Sequence, residues 1–128
     1  MAFDIAFLVG RIITGGYFLM SGVNHFKNLN MLKGYAASKK VPAAGVAVPL
    51  TGLMMLLGGL SLLLGYMPTA GTALLLAFLV PTTFWMHNFW TAPAEHKMAE
   101  KINFMKNLAL IGLLLMTLKI ALPWAFSF

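Results

Sequence analysis

From residue 41 to residue 94 the chain carries no Asp, Glu, Lys or Arg. A helix crosses the hydrocarbon core of a bilayer with about 20 residues, so this one stretch holds two crossings. Soluble globular domains devote about a quarter of their residues to charge; here 9% are charged and 60% are hydrophobic. The chain therefore reads as an integral membrane protein. With 128 residues it has almost nothing left for an extramembrane domain, which excludes a large soluble catalytic or nucleic-acid-binding domain.

Further apolar segments flank the uncharged stretch. The predicted fold is all-α: a single membrane domain, a transmembrane four-helix bundle with spans at about residues 5–22, 43–66, 70–86 and 104–122. An acid at position 4 and Arg11 do not suit a signal peptide, so the first segment is expected to be a retained span. Between spans one and two, Lys27, Asn28, Lys33, Lys39 and Lys40 alternate with Phe26, Leu29, Leu32 and Tyr35, the pattern of a short amphipathic helix lying at the membrane interface. Pro42 suits the first turn of the second span. The uncharged string Gly65-Tyr66-Met67-Pro68-Thr69 suits a tight turn. Pro81 falls inside the third span, where its missing N–H frees a backbone carbonyl. Thr91 is the expected N-cap and Pro93 the expected start of the last helix, Pro123 its end, and Trp124 with Phe126 an interfacial anchor.

The net charge is +6, yet the basic residues sit among apolar ones beside the spans, so membrane lipids rather than nucleic acid are the expected partners. Lys27, Lys33, Lys39 and Lys40 flank the first connection and Lys97, Lys101 and Lys106 the third; the second has none. By the positive-inside rule the two basic connections face the cytoplasm and both termini lie outside. Cysteine is absent, so no dithiol, thiolate nucleophile or sulfur-ligated metal is available, and any redox chemistry needs a bound cofactor.

Small residues recur seven apart in the second span: Gly45, Gly52 and Gly59, and beside them Thr51, Gly58 and Gly65. Lipid supplies no hydrophobic drive between helices, so such stripes mark a seam of close backbone approach, with Gly10, Thr14, Gly15, Ser21 and Gly22 of the first span as the opposing surface. Arg11, two turns inside a span, is a functional candidate by its cost alone; the plainer reading is an Arg that snorkels outward or pairs with Asp4. His25 and His87 each end a span in similar strings, Asn24-His25-Phe26 and His87-Asn88-Phe89. Lys106 and Asn107 enter the fourth span from the same side. Together with Trp90 these residues form the candidate ligand-binding set, His25, His87, Trp90, Lys106, Asn107 and Arg11, suited to a quinone carbonyl or a lipid phosphate. A structural hydrogen-bond network among the same residues is the rival reading. Two histidines without Cys make a poor metal site, and none is expected.

In order and spacing, Arg11, Ser21-Gly22, His25-Phe26, Gly58-Gly59, Gly65, His87-x-Phe89-Trp90 and Lys106-Asn107 resemble the DoxX family of small bacterial four-span membrane proteins. The resemblance implies a multi-pass protein of the bacterial inner membrane. It also implies association with redox enzymes, since the family is named for a membrane subunit of a thiosulfate:quinone oxidoreductase. Many members carry a Glu early in the second span where this chain has Thr51, so a role tied to that acid does not carry over.

Three readings stay open. The chain is a membrane anchor or binding subunit for a partner enzyme or lipid, without chemistry of its own; or a quinone-binding subunit of a membrane oxidoreductase; or a small transporter or channel. A protein partner or a homo-oligomer is expected with the first two. A pore needs polar positions along several helices, and residues 53–79 offer little beyond Ser61, Thr69 and Thr72.

Overall fold

The computed structural model describes residues 2–128. Five α-helices follow one another: α1 (Ala2–Lys27), α2 (Leu29–Ser38), α3 (Ala44–Leu64), α4 (Pro68–Met86) and α5 (Ala94–Thr117), with a 3-10 turn, Phe89–Thr91, before the last. Three segments are long and apolar enough to cross a membrane: α1, α3, and α4 with its following turn, Pro68–Thr91. The fourth expected span falls mostly within α5, whose bounds differ from those expected. α5 starts earlier, at Ala94, and stops at Thr117. Glu95, Lys97, Glu100, Lys101 and Lys106 interrupt it as far as its middle, and its continuously apolar run is residues 108–116. α5 runs beside α4, with Glu100 near His87 at one end and the Thr117 hydroxyl 3.4 Å from that of Thr72 at the other.

The chain beyond α5 folds back instead of ending at an interface. The Phe128 amide donates to the Leu64 carbonyl at 3.0 Å. Trp124, only 5% exposed, joins the core of Phe18, Leu62 and Leu75 and stands edge-on to Phe7. It is thus no anchor, and of the expected pair only Phe126 stays exposed.

Other local expectations shift for identifiable reasons. α3 begins at Ala44 rather than on Pro42, because Ala43 adopts a left-handed conformation (φ +51°) that breaks helical geometry between them. Thr91 does not cap α5: its hydroxyl donates to the Asn88 carbonyl at 3.2 Å, closing the 3-10 turn, and Pro93 takes the capping position. α4 continues through Pro81, as α3 does through Pro49.

The long helices pack in the order α1, α3, α4, α5, with α2 against α3. Glycine makes this approach close. A Cβ on Gly15 would meet the Gly59 carbonyl at 2.7 Å, and one on Gly59 would meet that of Gly15 at 2.8 Å. Gly22 packs in the same way on Leu56 and Gly52, so the seam between α1 and α3 is real. It differs from the expected single face. Gly58 turns to α4, where a Cβ would meet Leu75 at 2.5 Å, and Gly45 and Gly10 face open space. Successive positions on a helix differ by about 100°, enough for adjacent stripes to serve different neighbours.

The burial pattern is that of a protein solvated by lipid. Ile12, Ile13, Leu53, Leu57, Leu60 and Leu115 point outward, while Arg11, Thr72, Thr83, Glu100 and Asn107 are buried. Lipid tails are as apolar as leucine, so this chain keeps its polar groups inside and packs on small residues.

Candidate functional site

The packing of α1 and α2 against α3, of α3 against α4 and of α4 against α5 gathers five chain segments at one end: the last turns of α1, α2 with the residues that follow it, the first turns of α3, the end of α4 and the middle of α5. A cavity of about 560 Å³ opens between them. Its walls are mainly apolar, built from side chains such as Phe18, Met54, Met55 and Phe78, and its polar lining includes His25, His87, Lys106 and Asn107. Pro81 and Ala77 also line it. Proline at 81 has no N–H to offer the Ala77 carbonyl, which leaves that acceptor without its helical partner.

Each polar group is held differently. The His25 Nδ1 lies 3.0 Å from the Ser21 carbonyl, which can only accept, so Nδ1 carries the proton that it donates. The same ring stands edge-on to Phe78 at 6.0 Å. The Lys106 Nζ lies 5.9 Å from the centre of the Tyr17 ring, and among the described residues no carboxylate pairs with it. Asn107 is 7% exposed. Thr51 lines the cavity too, but its hydroxyl already donates to the Ala47 and Val48 carbonyls at 2.9 and 3.0 Å.

His87 connects this cavity to a second cluster centred on Glu100. Glu100 is 9% exposed. Its Oε1 accepts from the Tyr35 hydroxyl at 3.3 Å and its Oε2 from the Lys39 Nζ at 3.4 Å. The same Nζ donates to the Asn88 Oδ1 at 3.4 Å, and the Trp85 indole N–H donates to the Lys39 carbonyl at 2.8 Å. Partial burial, and then the nearby Glu100 charge, hold the Tyr35 phenol above its usual range, which keeps it a donor to the carboxylate. The His87 Nδ1 lies 3.5 Å from the Glu100 Oε2, near but outside a well-formed hydrogen bond, and is buried with no other partner.

Glu100, Lys39 and Asn88, together with Lys40, Thr91 and His96, also line a second, more polar cavity of about 760 Å³. Tyr35 lines both cavities. The two spaces are thus neighbours, separated by a wall in which Tyr35, Glu100 and His87 stand.

Two of the candidate residues lie elsewhere. Arg11, 4% exposed, is fourteen residues before His25 on α1, about 21 Å along the axis. Its guanidinium donates to the carbonyls of Leu62 (3.2 Å) and Leu63 (3.1 Å) at the end of α3 and to those of Ala125 and Phe126 (3.3 Å) in the tail, with its carbon 5.6 Å from the Phe7 and Trp124 ring centres. This is a clamp between α1, α3 and the tail. Trp90 stacks edge-on with Phe89 and Phe104, in an aromatic cluster that ties the 3-10 turn to α5, and lines neither cavity.

Sequence pattern alone does not single out Glu100, Tyr35, Lys39 or Asn88. A usable signal exists for the first. Glu100, Asn107, Ile111 and Leu114 are the buried residues of α5, spaced at whole helical turns, so the apolar stripe through Ile111 and Leu114 runs back through Asn107 to Glu100. Nothing in the sequence marks the others, whose role depends on α2 lying beside the start of α5. Among the described residues no group of three or more His, Asp or Glu converges as a metal centre would require.

A family model, DoxX, matches residues 6–88 of the chain. No curated protein and no solved structure matches it.

Proposed function

This chain belongs to the DoxX family, and we propose that it serves in the membrane as a binding module for an amphipathic molecule whose polar head sits among His25, His87, Lys106 and Asn107. One observation carries the reading: these four side chains, from three separate stretches of the sequence, line one cavity whose remaining walls are mainly apolar. At about 560 Å³ it is of the size that small-molecule sites take. Lys106, with no carboxylate partner among the described residues, offers a positive charge, and Asn107 offers hydrogen bonds, to a head rich in acceptor oxygens. A quinone carbonyl and a lipid phosphate share that chemistry. No nucleophile with an adjacent base is gathered there, which favours binding, or support of a partner enzyme, over chemistry by this chain alone.

The site implies an arrangement in the bilayer. Three spans and the apolar end of α5 form a four-helix bundle, α2 lies at the interface, and the cavity's polar end sits at the cytoplasmic boundary of the bacterial inner membrane with both termini outside. Single cysteines at Ser38 and Thr69 test this. An impermeant thiol reagent applied to intact cells should label Thr69→Cys and spare Ser38→Cys; the reverse would invert the topology.

The binding reading is tested by His87→Gln and Lys106→Met in protein purified in mild detergent. Both variants should melt within a few degrees of the parent, yet retain at least tenfold less of the co-purified quinone or anionic lipid, since a hydrogen bond to a charged group is worth about 1.5–3 kcal/mol. A wild type that carries no such molecule, or variants that keep it, would refute the reading. Quinone is favoured over phospholipid by one feature, the carboxylic acid beside His87, which suits a head that takes up and releases protons.

A further inference from the structure

Glu100 is one of only three acids in the chain, and it is buried at the wall between the polar and the apolar cavity. A salt bridge with Lys39 alone would need neither His87 nor Tyr35 beside it. Yet the Glu100 Oε2 faces the His87 Nδ1 at 3.5 Å, and that nitrogen is buried without a hydrogen-bond partner. Glu100 belongs to the lining of the polar cavity and His87 to that of the apolar one. The pair therefore joins two spaces that differ in the polarity of their walls.

We propose that Glu100 and His87 form a proton relay, which carries protons between the polar cavity and the ionisable head of the molecule bound in the apolar one. This rests on the binding function proposed above. In the inward step, a hydronium ion in the polar cavity loses a proton to the Glu100 carboxylate: its O–H bond breaks as the Oε2–H bond forms, and a water molecule is left behind. The Oε2–H bond then breaks as an Nδ1–H bond forms on His87, and the Nε2–H bond on the far edge of the ring breaks as an O–H bond forms on the bound head. One proton moves inward, no electron moves, and the imidazole is left as its other tautomer. Exchange with water resets the ring: the Nδ1–H bond breaks as one water molecule takes that proton, an Nε2–H bond forms with a proton given up by another, and no net proton is gained or lost.

The groups around the pair fit this role. From the α2 side Lys39 and Tyr35 hold the two carboxylate oxygens, and Asn88 holds Lys39 in turn. From α5 Lys106 lines the apolar cavity beside His87, and from α1 His25 lines it too, with its Nδ1 committed to the Ser21 carbonyl. Lys39 donates to the Glu100 Oε2 at 3.4 Å from the polar side, and the same oxygen faces the His87 Nδ1 at 3.5 Å.

A coloured probe makes the transfer visible. A 2-hydroxy-1,4-naphthoquinone with an alkyl tail is a quinone whose hydroxyl ionises with a change in visible absorbance. The full-length protein in detergent is loaded with it and subjected to a stopped-flow pH jump. In the wild type the bound probe should change colour with the jump. In Glu100→Gln and in His87→Gln, each checked by thermal melting, the bound fraction should reach its end point at least tenfold more slowly. Glu100→Gln leaves the cavity lining intact and should bind the probe at wild-type stoichiometry. If Glu100→Gln does not fold, His87→Gln loaded with saturating probe decides the matter. Unchanged rates in the folded variants would overturn the relay and leave the binding site standing. A wild type that takes up no probe would remove the site and the relay together.

Discussion

Gly59→Leu should separate α1 from α3 and cost the protein most of its stability. The position has no slack. A Cβ at Gly59 already meets the Gly15 carbonyl and the Leu19 amide nitrogen, both at 2.8 Å, and these are backbone atoms that cannot rotate away. Overpacking a seam usually costs about 1–3 kcal/mol when side chains can adjust, and more is expected where only backbone can yield. In a chain whose helices associate through close packing, that loss falls on the main contact in the bundle. Gly10 is the control, since a Cβ there meets nothing within 4 Å. Gly10→Leu should melt near the parent in the same detergent, while Gly59→Leu should lose its cooperative transition or shift it down by 10 °C or more, on the scale of about 4–8 °C per kcal/mol. Equal melting of the two variants would contradict the seam.

Arg11→Met should be almost as damaging, and by a different route. Four carbonyls, two at the end of α3 and two in the tail, depend on one guanidinium. The last turn of any helix leaves carbonyls without helical partners, and in lipid no water replaces the missing donor. Removing Arg11 should therefore cost about 3 kcal/mol or more, given about 1.5–3 kcal/mol for a charged hydrogen bond. Arg11→Lys should recover only part of it, because an ammonium cannot span the two pairs of carbonyls as a planar fork does. Hydrogen exchange localises the effect. The Phe128 amide, bonded to the Leu64 carbonyl, should lose protection in Arg11→Met before the amides in the middle of α3 do. Retained protection at Phe128 would show that the tail docks without Arg11.

These two residues also show how unevenly the sequence reveals the fold. The seven-residue recurrence of Gly52 and Gly59 is a local signal, and helical geometry converts it directly into a packing stripe. Arg11 is just as conspicuous within its span, but its partners are backbone carbonyls, which leave no mark in sequence, and two of them come from the far end of the chain. Its reading as a ligand group gives way to that of a clamp. Trp124 follows for the same reason: an aromatic residue after the last apolar run has the pattern of an interfacial anchor, and only the return of the tail to Phe7 shows it as core.

At the candidate site, His25, His87, Lys106 and Asn107 are legible because each stands where an apolar run meets polar residues, and an antiparallel succession of helices brings such ends together. Trp90 satisfies the same rule but turns to Phe89 and Phe104 instead. Glu100 is hidden by its neighbours. It lies in a charged stretch that looks like a solvated surface; only the buried stripe of α5, followed back through Asn107, points to it, and its partners Tyr35 and Lys39 come from α2 through long-range contacts that no periodicity encodes.

The most direct test of the cavity as a binding site leaves its polar groups untouched and fills its apolar body. Ala47 and Ala77 line it from α3 and α4. Native mass spectrometry of protein released from mild detergent should show a one-to-one adduct of amphiphile mass on the wild type. Ala47→Phe and Ala77→Phe should lose that adduct while melting as the parent does. An adduct that survives in both variants, or a wild type that flies bare from native membranes, would show that the cavity does not hold a ligand.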